Sequence, residues 1–307
     1  MKFAVQHGMG DPNWTPEILH PDEVARFVHT AETAGFDMVA FSDHPAPSAK
    51  WVEADGEGTA DVFTSLAYCA ALSKNIGLLS WVLIPSYRNP FLTAHAAATL
   101  DRLSLGRLAL GLGTGYLRSE LGAFGLDLDE RRDRFEEAVA VMKQVWSGDD
   151  VYIETDRFVA RGVRSFPRPV QQPHPPLWVH GNSRWGIEWA AQHADGWIGM
   201  ITSPRAVTTI RTHGIDDMDA LARRIDDLAE ACSRAERSVD DLTLSATGMW
   251  PRWDLRNGWD AAKMRADVRR LESMGVEWAV NLVCGDDPDV SMATIQRFGD
   301  EVIAPSR

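Results

Sequence analysis

The sequence predicts a (β/α)8 barrel, and three observations carry that prediction. Eight short apolar or β-rich segments recur along the 307 residues, with helical patterns in most of the intervals between them. The segments are continuously apolar rather than alternating, as expected for parallel strands covered on both faces. Helix-to-strand turns are tight (Gly35–Asp37, Ala194–Gly196, Gly275–Glu277), whereas strand-to-helix loops are long. Elaboration confined to the carboxyl ends of the strands fits a barrel whose active site is built there. One domain over residues 1–307 is ordinary for such a barrel, and an open doubly wound sheet is the alternative.

In order, the strands are read at Phe3–Gln6, Met38–Ser42, Ile76–Leu83, Arg107–Leu112, Leu177–His180, Trp197–Met200, Leu242–Thr247 and Trp278–Val283. The first helix opens at Pro21, closes at Gly35 and lines up Val24, Phe27, Val28 and Ala31 on one face. Phe135, Val139, Met142 and Trp146 do the same behind Asp127 and Glu130, which read as a capping box. Met264, Val268 and Leu271 repeat the pattern and stop at Gly275. The long loops are Asp43–Thr59, Pro85–Asn89, Gly113–Asp127, Thr202–Asp217 and Gly248–Gly258. Residues 151–176, rich in Arg and Pro, break the rhythm and read as a hairpin-like insertion before the fifth strand, a lid or a dimer element.

Composition excludes several classes of function. A net charge of −13 with no basic run argues against nucleic acid or an anionic membrane as partner, because such a surface repels phosphates. No apolar run is long enough to span a bilayer, and the first residues lack the charged-then-apolar order of a signal peptide, so a cytoplasmic protein is expected. Cys69, Cys232 and Cys284 are odd in number and widely spaced, which disfavours a metal ribbon or disulfide framework. Lysines stand only at 2, 50, 74, 143 and 263, none ending a strand, so a Schiff-base aldolase lacks its nucleophile. Neither an HxH or HExxH metal motif nor a GxSxG elbow is present. A metal-dependent hydrolase on His7, His44 and His180 is the outlying reading.

What remains points to a cofactor enzyme acting on a small molecule. Ser42-Asp43-His44-Pro45 closes the second strand, where His44 can hold or deliver a proton or merely cap the rim. Asp43 beside it can fix the imidazole tautomer or touch a cofactor. Gly111-Leu-Gly-Thr-Gly115 brings Gly113, Thr114 and Gly115 to the end of the fourth strand, where backbone can approach a flat or anionic ligand. It is not G-x-G-x-x-G and no acidic ribose binder follows, so a nicotinamide dinucleotide is disfavoured. Gly181, Asn182 and Ser183 open a helix after the fifth strand, with Arg184 nearby; free amides there suit a phosphate. Trp14, Trp51, Trp81, Tyr87, Tyr116, Trp250, Trp253 and Trp259 crowd the same loops. The three tryptophans of 250–259 suggest an apolar lid over a planar ligand.

These residues together resemble the bacterial luciferase-like oxidoreductases, a family of flavin and deazaflavin barrels. The motifs are Phe41-Ser-Asp-His44, Asn89-Pro90 before a helix, and Asp101-Arg-Leu-Ser-Leu-Gly-Arg107. They continue as Leu110 to Glu120, Arg168 to Pro176, and Leu177-Trp-Val-His-Gly-Asn182. The resemblance covers residues 1–200 well and the remainder by pattern. It implies a TIM barrel holding coenzyme F420 or, alternatively, FMN at the strand ends. A bulge in the third strand, often with a non-proline cis peptide, backs the ring in such proteins; Leu79-Ser80-Trp81-Val82 occupies that place. The ring would lie between this bulge and Gly113–Gly115, with its phosphate at Gly181–Ser183. The Ser-Asp-His run looks like the deazaflavin branch, with Asp43 on the ring system and His44 serving proton transfer.

The resemblance also carries a departure. Sugar-phosphate dehydrogenases of this branch place a catalytic Glu directly after Gly-Thr-Gly; here that residue is Tyr116, with Arg118 and Glu120 nearby. A tyrosine can donate a hydrogen bond, but the Glu role reads as lost, and no lysine cluster awaits a substrate phosphate. A moderately apolar alcohol, ketone or enone is the expected substrate. An FMN-dependent monooxygenase and a non-catalytic flavin-binding protein are the alternatives, and a homodimer is the family expectation.

Overall fold

In the computed structural model, which describes residues 1–54, 56–202, 207–208, 212–250 and 253–307, the predicted barrel closes. Its strands are β1 (Lys2–Gln6), β2 (Met38–Phe41), β3 (Gly77–Leu83), β4 (Leu108–Leu112), β7 (Leu177–His180), β8 (Gly196–Met200), β9 (Thr243–Thr247) and β10 (Trp278–Leu282). They pair in the order β1-β10-β9-β8-β7-β4-β3-β2, and every barrel pairing is parallel. Each of the eight sequence segments lies on one of them, and the open doubly wound sheet is set aside.

Strand alternation divides the apolar residues into two populations. Ala4, Ala40, Leu79, Ala109, Trp178, Ile198, Trp278 and Val280 form a cluster inside the barrel, with Met38, Trp81 and Val82 packed against it. Trp178 and Trp278 pack with ring centroids 5.4 Å apart. Gly196 makes room for this pair: a Cβ there would sit 2.6 Å from the Trp178 ring. Outside the sheet, the helices bury the faces their sequences offer. Helix α1 (Pro21–Thr33) buries Val24, Phe27, Val28 and Ala31. Between β2 and β4 come α2 (Ala49–Val52), α3 (Val62–Leu72) and α4 (Pro90–Leu103). Then follow α5 (Arg118–Ala123) and α6 (Arg131–Ser147), whose Phe135, Val139, Met142 and Trp146 are buried. Helices α7 (Arg184–His193), α8 (Met218–Arg234), α9 (Ala261–Ser273) and α10 (Pro288–Phe298) complete the ring. Met264, Val268 and Leu271 are the buried residues of α9.

The capping box ahead of α6 is not formed. Glu130 is the N-cap residue but makes no side-chain cap bond; it pairs with Arg134, while Asp127 accepts from the Asp129 amide. A second correction concerns the tryptophan lid. Trp253 is 2% exposed and packs edge-on against Phe36 and Phe298. Trp250 packs on Phe298 and donates to Asp267, and Trp259 donates to Glu301. These rings anchor the 250–259 loop to α9, α10 and the chain beyond it. Residues 251–252, like 203–206 and 209–211 of the preceding long loop, lie outside the described residues.

The insertion is a hairpin, β5 (Val151–Glu154) and β6 (Val159–Val163), paired antiparallel. Val151, Ile153 and Ala160 join the outer core, whereas Tyr152 is 70% and Val159 62% exposed. The Asp101–Arg107 motif turns out to be a fastener. Asp101, fully buried, accepts from the Val170 and Gln171 amides and from Gln171 Nε2. Arg107 donates to the carbonyls of Ser104, Ile76 and Ala70. Together they fix the α4–β4 turn to β3 and to the segment leading into β7.

Candidate active site

The barrel mouth is the end where the strands finish and the long loops begin. One irregularity marks its wall: β3 slips in register against β4 between Ser80 and Leu83, and the Trp81–Val82 peptide is cis. This is where the sequence placed a bulge. Trp81 and Val82 are half-buried there, while Ser80 is fully buried and donates to the Gly111 carbonyl, so its side chain belongs to the wall. Gly113 is pinned by its amide to the Leu83 carbonyl. Gly115 has φ +77°, and a Cβ there would come within 3.1 Å of the Tyr87 hydroxyl. Thr114 lies half-buried between them.

Three residues past β2, His44 sits under two carboxylates. Its Nδ1 is 3.0 Å from Glu120 Oε2, and its Nε2 is 3.4 Å from Glu57 Oε1 and 3.3 Å from the Tyr116 hydroxyl. Its backbone amide donates to Thr59 Oγ1 at 2.7 Å. Glu120, in the first turn of α5, is fully buried. It accepts from the Ala46 amide at 3.0 Å and the Tyr87 hydroxyl at 2.9 Å. Glu57 is carried on a loop tied down by Trp51, whose Nε1 donates to the Glu57 carbonyl at 3.0 Å. The Trp51 ring meets the Tyr116 ring edge-on.

The electrostatics follow from burial and charge. Burial alone would lower the His44 pKa, but Glu120 and Glu57 outweigh it and push the imidazole up to about 10. Burial disfavours the Glu120 carboxylate, yet His44, the Ala46 amide and Tyr87 hold it below the usual carboxylate range. The phenols of Tyr87 and Tyr116 are raised, by burial first and then by the neighbouring carboxylates, so both stay protonated donors. His180, half-buried at the end of β7, is pushed down to about 4 by desolvation.

Asp43 does not touch this cluster as expected. Its carboxylate grips Arg88 through two 2.7 Å hydrogen bonds and accepts from the Ile84 amide at 3.1 Å. Asp43 therefore ties the end of β2 to that of β3, and Arg88 reaches on to Asp61. The partner of His44 Nδ1 is Glu120, four residues beyond Tyr116. Glu120, expected only as a neighbour of Tyr116, supplies the carboxylate one turn further along the chain. Glu57 carried no sequence signal beyond its place in a long mouth loop.

At the opposite side, Gly181, Asn182 and Ser183 precede α7 as expected, but their side chains are committed. Asn182 bonds the Met200 amide and the carbonyls of Met200 and His213, and Ser183 caps the Gly186 amide. Arg184 is exposed and paired with Glu188. What this turn offers is backbone: Gly181 has φ +155°, and a Cβ there would meet nothing nearer than Gly186 Cα at 3.9 Å. Open space before the start of a ten-residue helix fits an anionic group. Among the described residues, the side chains spaced to share an ion are Asp254, Cys284 and Asp286 rather than His7, His44 and His180. Arg256 donates to both of those carboxylates.

A closed parallel barrel with His44, Tyr116 and a buried Glu120 gathered at the strand ends defines the (β/α)8-barrel class. The chain belongs to the luciferase-like monooxygenase family, whose model matches residues 1–250. It is 31% identical over 231 residues to an F420-dependent glucose-6-phosphate dehydrogenase of Beutenbergia cavernae, covering 74% of this chain and 63% of that one. The same enzyme of Kineococcus radiotolerans is 35% identical over 186 residues, which is 59% of this chain and 53% of that relative. These two matches thus span between about half and two thirds of the relatives' lengths. An F420-dependent hydroxymycolic acid dehydrogenase of Mycobacterium tuberculosis is 32% identical over 301 residues, covering 94% of this chain and 79% of that one. The fold is shared with an F420-dependent secondary alcohol dehydrogenase solved with an F420–acetone adduct (TM-score 0.74, 18% identity, covering 99% and 98%). It is shared too with a monooxygenase from Streptomyces bottropensis (TM-score 0.80, 20% identity, covering 100% of both chains).

Proposed function

We propose that the chain is a coenzyme F420-dependent oxidoreductase that moves a hydride between the deazaflavin and a small, moderately apolar alcohol or carbonyl compound. The observation that carries this reading is His44, held protonated by Glu120 with its Nε2 beside the Tyr116 hydroxyl. Hydride addition to a carbonyl makes an alkoxide, and its reverse needs an alcohol proton removed, so hydride chemistry requires a positioned proton carrier. The curated relatives named above, F420-dependent dehydrogenases, support the cofactor. When bound, the deazaflavin supplies the hydride step. Trp81 and Val82 would back its ring, the Gly113–Gly115 backbone would face it, and the amides of Ser183 and Arg184 would take its phosphate. His44 and Tyr116 would hold the substrate oxygen, and Asp43, through Arg88, would keep the mouth in shape. Tyr116 in place of a carboxylate, and five lysines none of which ends a strand, argue against a sugar phosphate as substrate.

His44→Ala tests the reading. Turnover of a carbonyl or alcohol substrate is expected to fall by about 10²- to 10⁴-fold, while coenzyme F420 still binds. Unchanged turnover removes the assignment; a preference for FMN with oxygen consumption makes the chain a monooxygenase instead.

A further inference from the structure

We propose that Glu120 positions His44 and that Glu120 and Glu57 together keep both imidazole nitrogens protonated, which makes the mouth a proton donor built to reduce aldehydes or ketones. This rests on the oxidoreductase reading above and adds its direction and its positioning residue. The Ala46 amide can only donate to Glu120, and the Tyr87 hydroxyl lies against the oxygen that faces His44. With donors on both oxygens, the ionised form of Glu120 fits best, and Nδ1 then supplies the hydrogen between them. On the other side Nε2 faces the Glu57 carboxylate, where a bare lone pair would be repelled. The Tyr116 hydroxyl, 3.3 Å from Nε2, is able to donate to a bare lone pair there, but a carboxylate at each ring nitrogen favours the imidazolium, with the hydroxyl oxygen then accepting.

Among the described residues no charge in the neighbourhood reverses this. From its own loop His44 meets Glu57, from α5 Glu120, from the loop before α5 Tyr116, and behind Glu120 the phenol of Tyr87. Asp43 stands next in sequence, and Arg88 is bound by Asp43 and Asp61. Glu57, half-buried on the loop, holds the place of a substrate oxygen at Nε2; when that oxygen displaces it, the Tyr116 hydroxyl remains as a second donor to the same atom. Bound coenzyme F420 would supply the hydride to the carbonyl carbon; His44 would pass its Nε2 proton to the oxygen that becomes the alcohol, and would take a proton back from water.

The test is a pH titration of the chain without cofactor, with its histidine side chains labelled with ¹⁵N and read by NMR. Wild-type His44 is expected to keep both ring protons at pH 8. Glu120→Gln should lower its protonation constant at least tenfold and move the alkaline limb of carbonyl reduction down with it, and Glu120→Asp should recover part of the shift. Glu57→Gln, a change on a mouth loop rather than in the core, should shift His44 in the same direction and serves if Glu120→Gln does not fold. A neutral His44 at pH 8, or a titration unmoved by either variant, overturns the proposal. Failure of the wild type to bind coenzyme F420 strikes the oxidoreductase reading instead and leaves the titration standing.

Discussion

His7 and His44 are both buried, yet their environments drive them in opposite directions. His7 is 3% exposed, stacks on Phe41 and accepts from the Met9 amide, with no carboxylate among the described residues bonded to it. Desolvation pushes it down to about 4. Since unfolding restores the ordinary value, its contribution to stability is complete above pH 6.5 and shrinks as pH falls toward 4. A shift of this size corresponds to about 3 kcal/mol. His44 works the other way: its contribution is complete below the unfolded value and is lost as pH rises through about 10. Urea unfolding between pH 6.5 and 4.5 should therefore show a smaller loss of stability in His7→Gln than in wild type; parallel losses would refute the assignment. At this scale the sequence was read unevenly. His44 and Tyr116 could be named because they end motifs at strand ends. Glu120 could not be given its role, because only the α5 turn brings it back over His44. Asp43 is not bonded to His44, because adjacency in sequence sends consecutive side chains different ways, and the partner it found, Arg88, lies on another loop.

Elements were the most legible level. The eight strands and the buried faces of α1, α6 and α9 follow from continuous apolar runs and helical spacing, signals that tertiary context reinforces here. The capping box failed because Glu130 has an i+4 partner in Arg134, a competitor for its carboxylate. The tryptophan lid failed because clustering in sequence says nothing of which side a loop folds toward; Phe36 and Phe298 offered Trp250 and Trp253 an apolar seat on the outside, and Trp259 bonds Glu301. The hairpin was legible as an interruption and is a hairpin in fact. Its exposed face carries Tyr152 and Val159, unusual apolar area for free solvent. We expect it to lie in a homodimer interface, so Tyr152→Lys with Val159→Lys should halve the mass measured by light scattering. A dimer unchanged by both substitutions would place the interface elsewhere.

For the whole molecule, the barrel explains why one sequence can carry so much fastening and so little chemistry. Asp101, Arg107 and the Asp43–Arg88 pair lock turns and loops, and the proposed chemistry rests on a few side chains at the mouth. Among the described residues no helix is long and apolar enough to cross a membrane. The most direct test of the account is a paired titration of the chain without cofactor by coenzyme F420 and by FMN, followed through tryptophan fluorescence. With Trp51 and Trp81 at the mouth, the account predicts strong quenching and tight binding for coenzyme F420 and weak binding for FMN. Tight binding of FMN alone, or of neither, would contradict it.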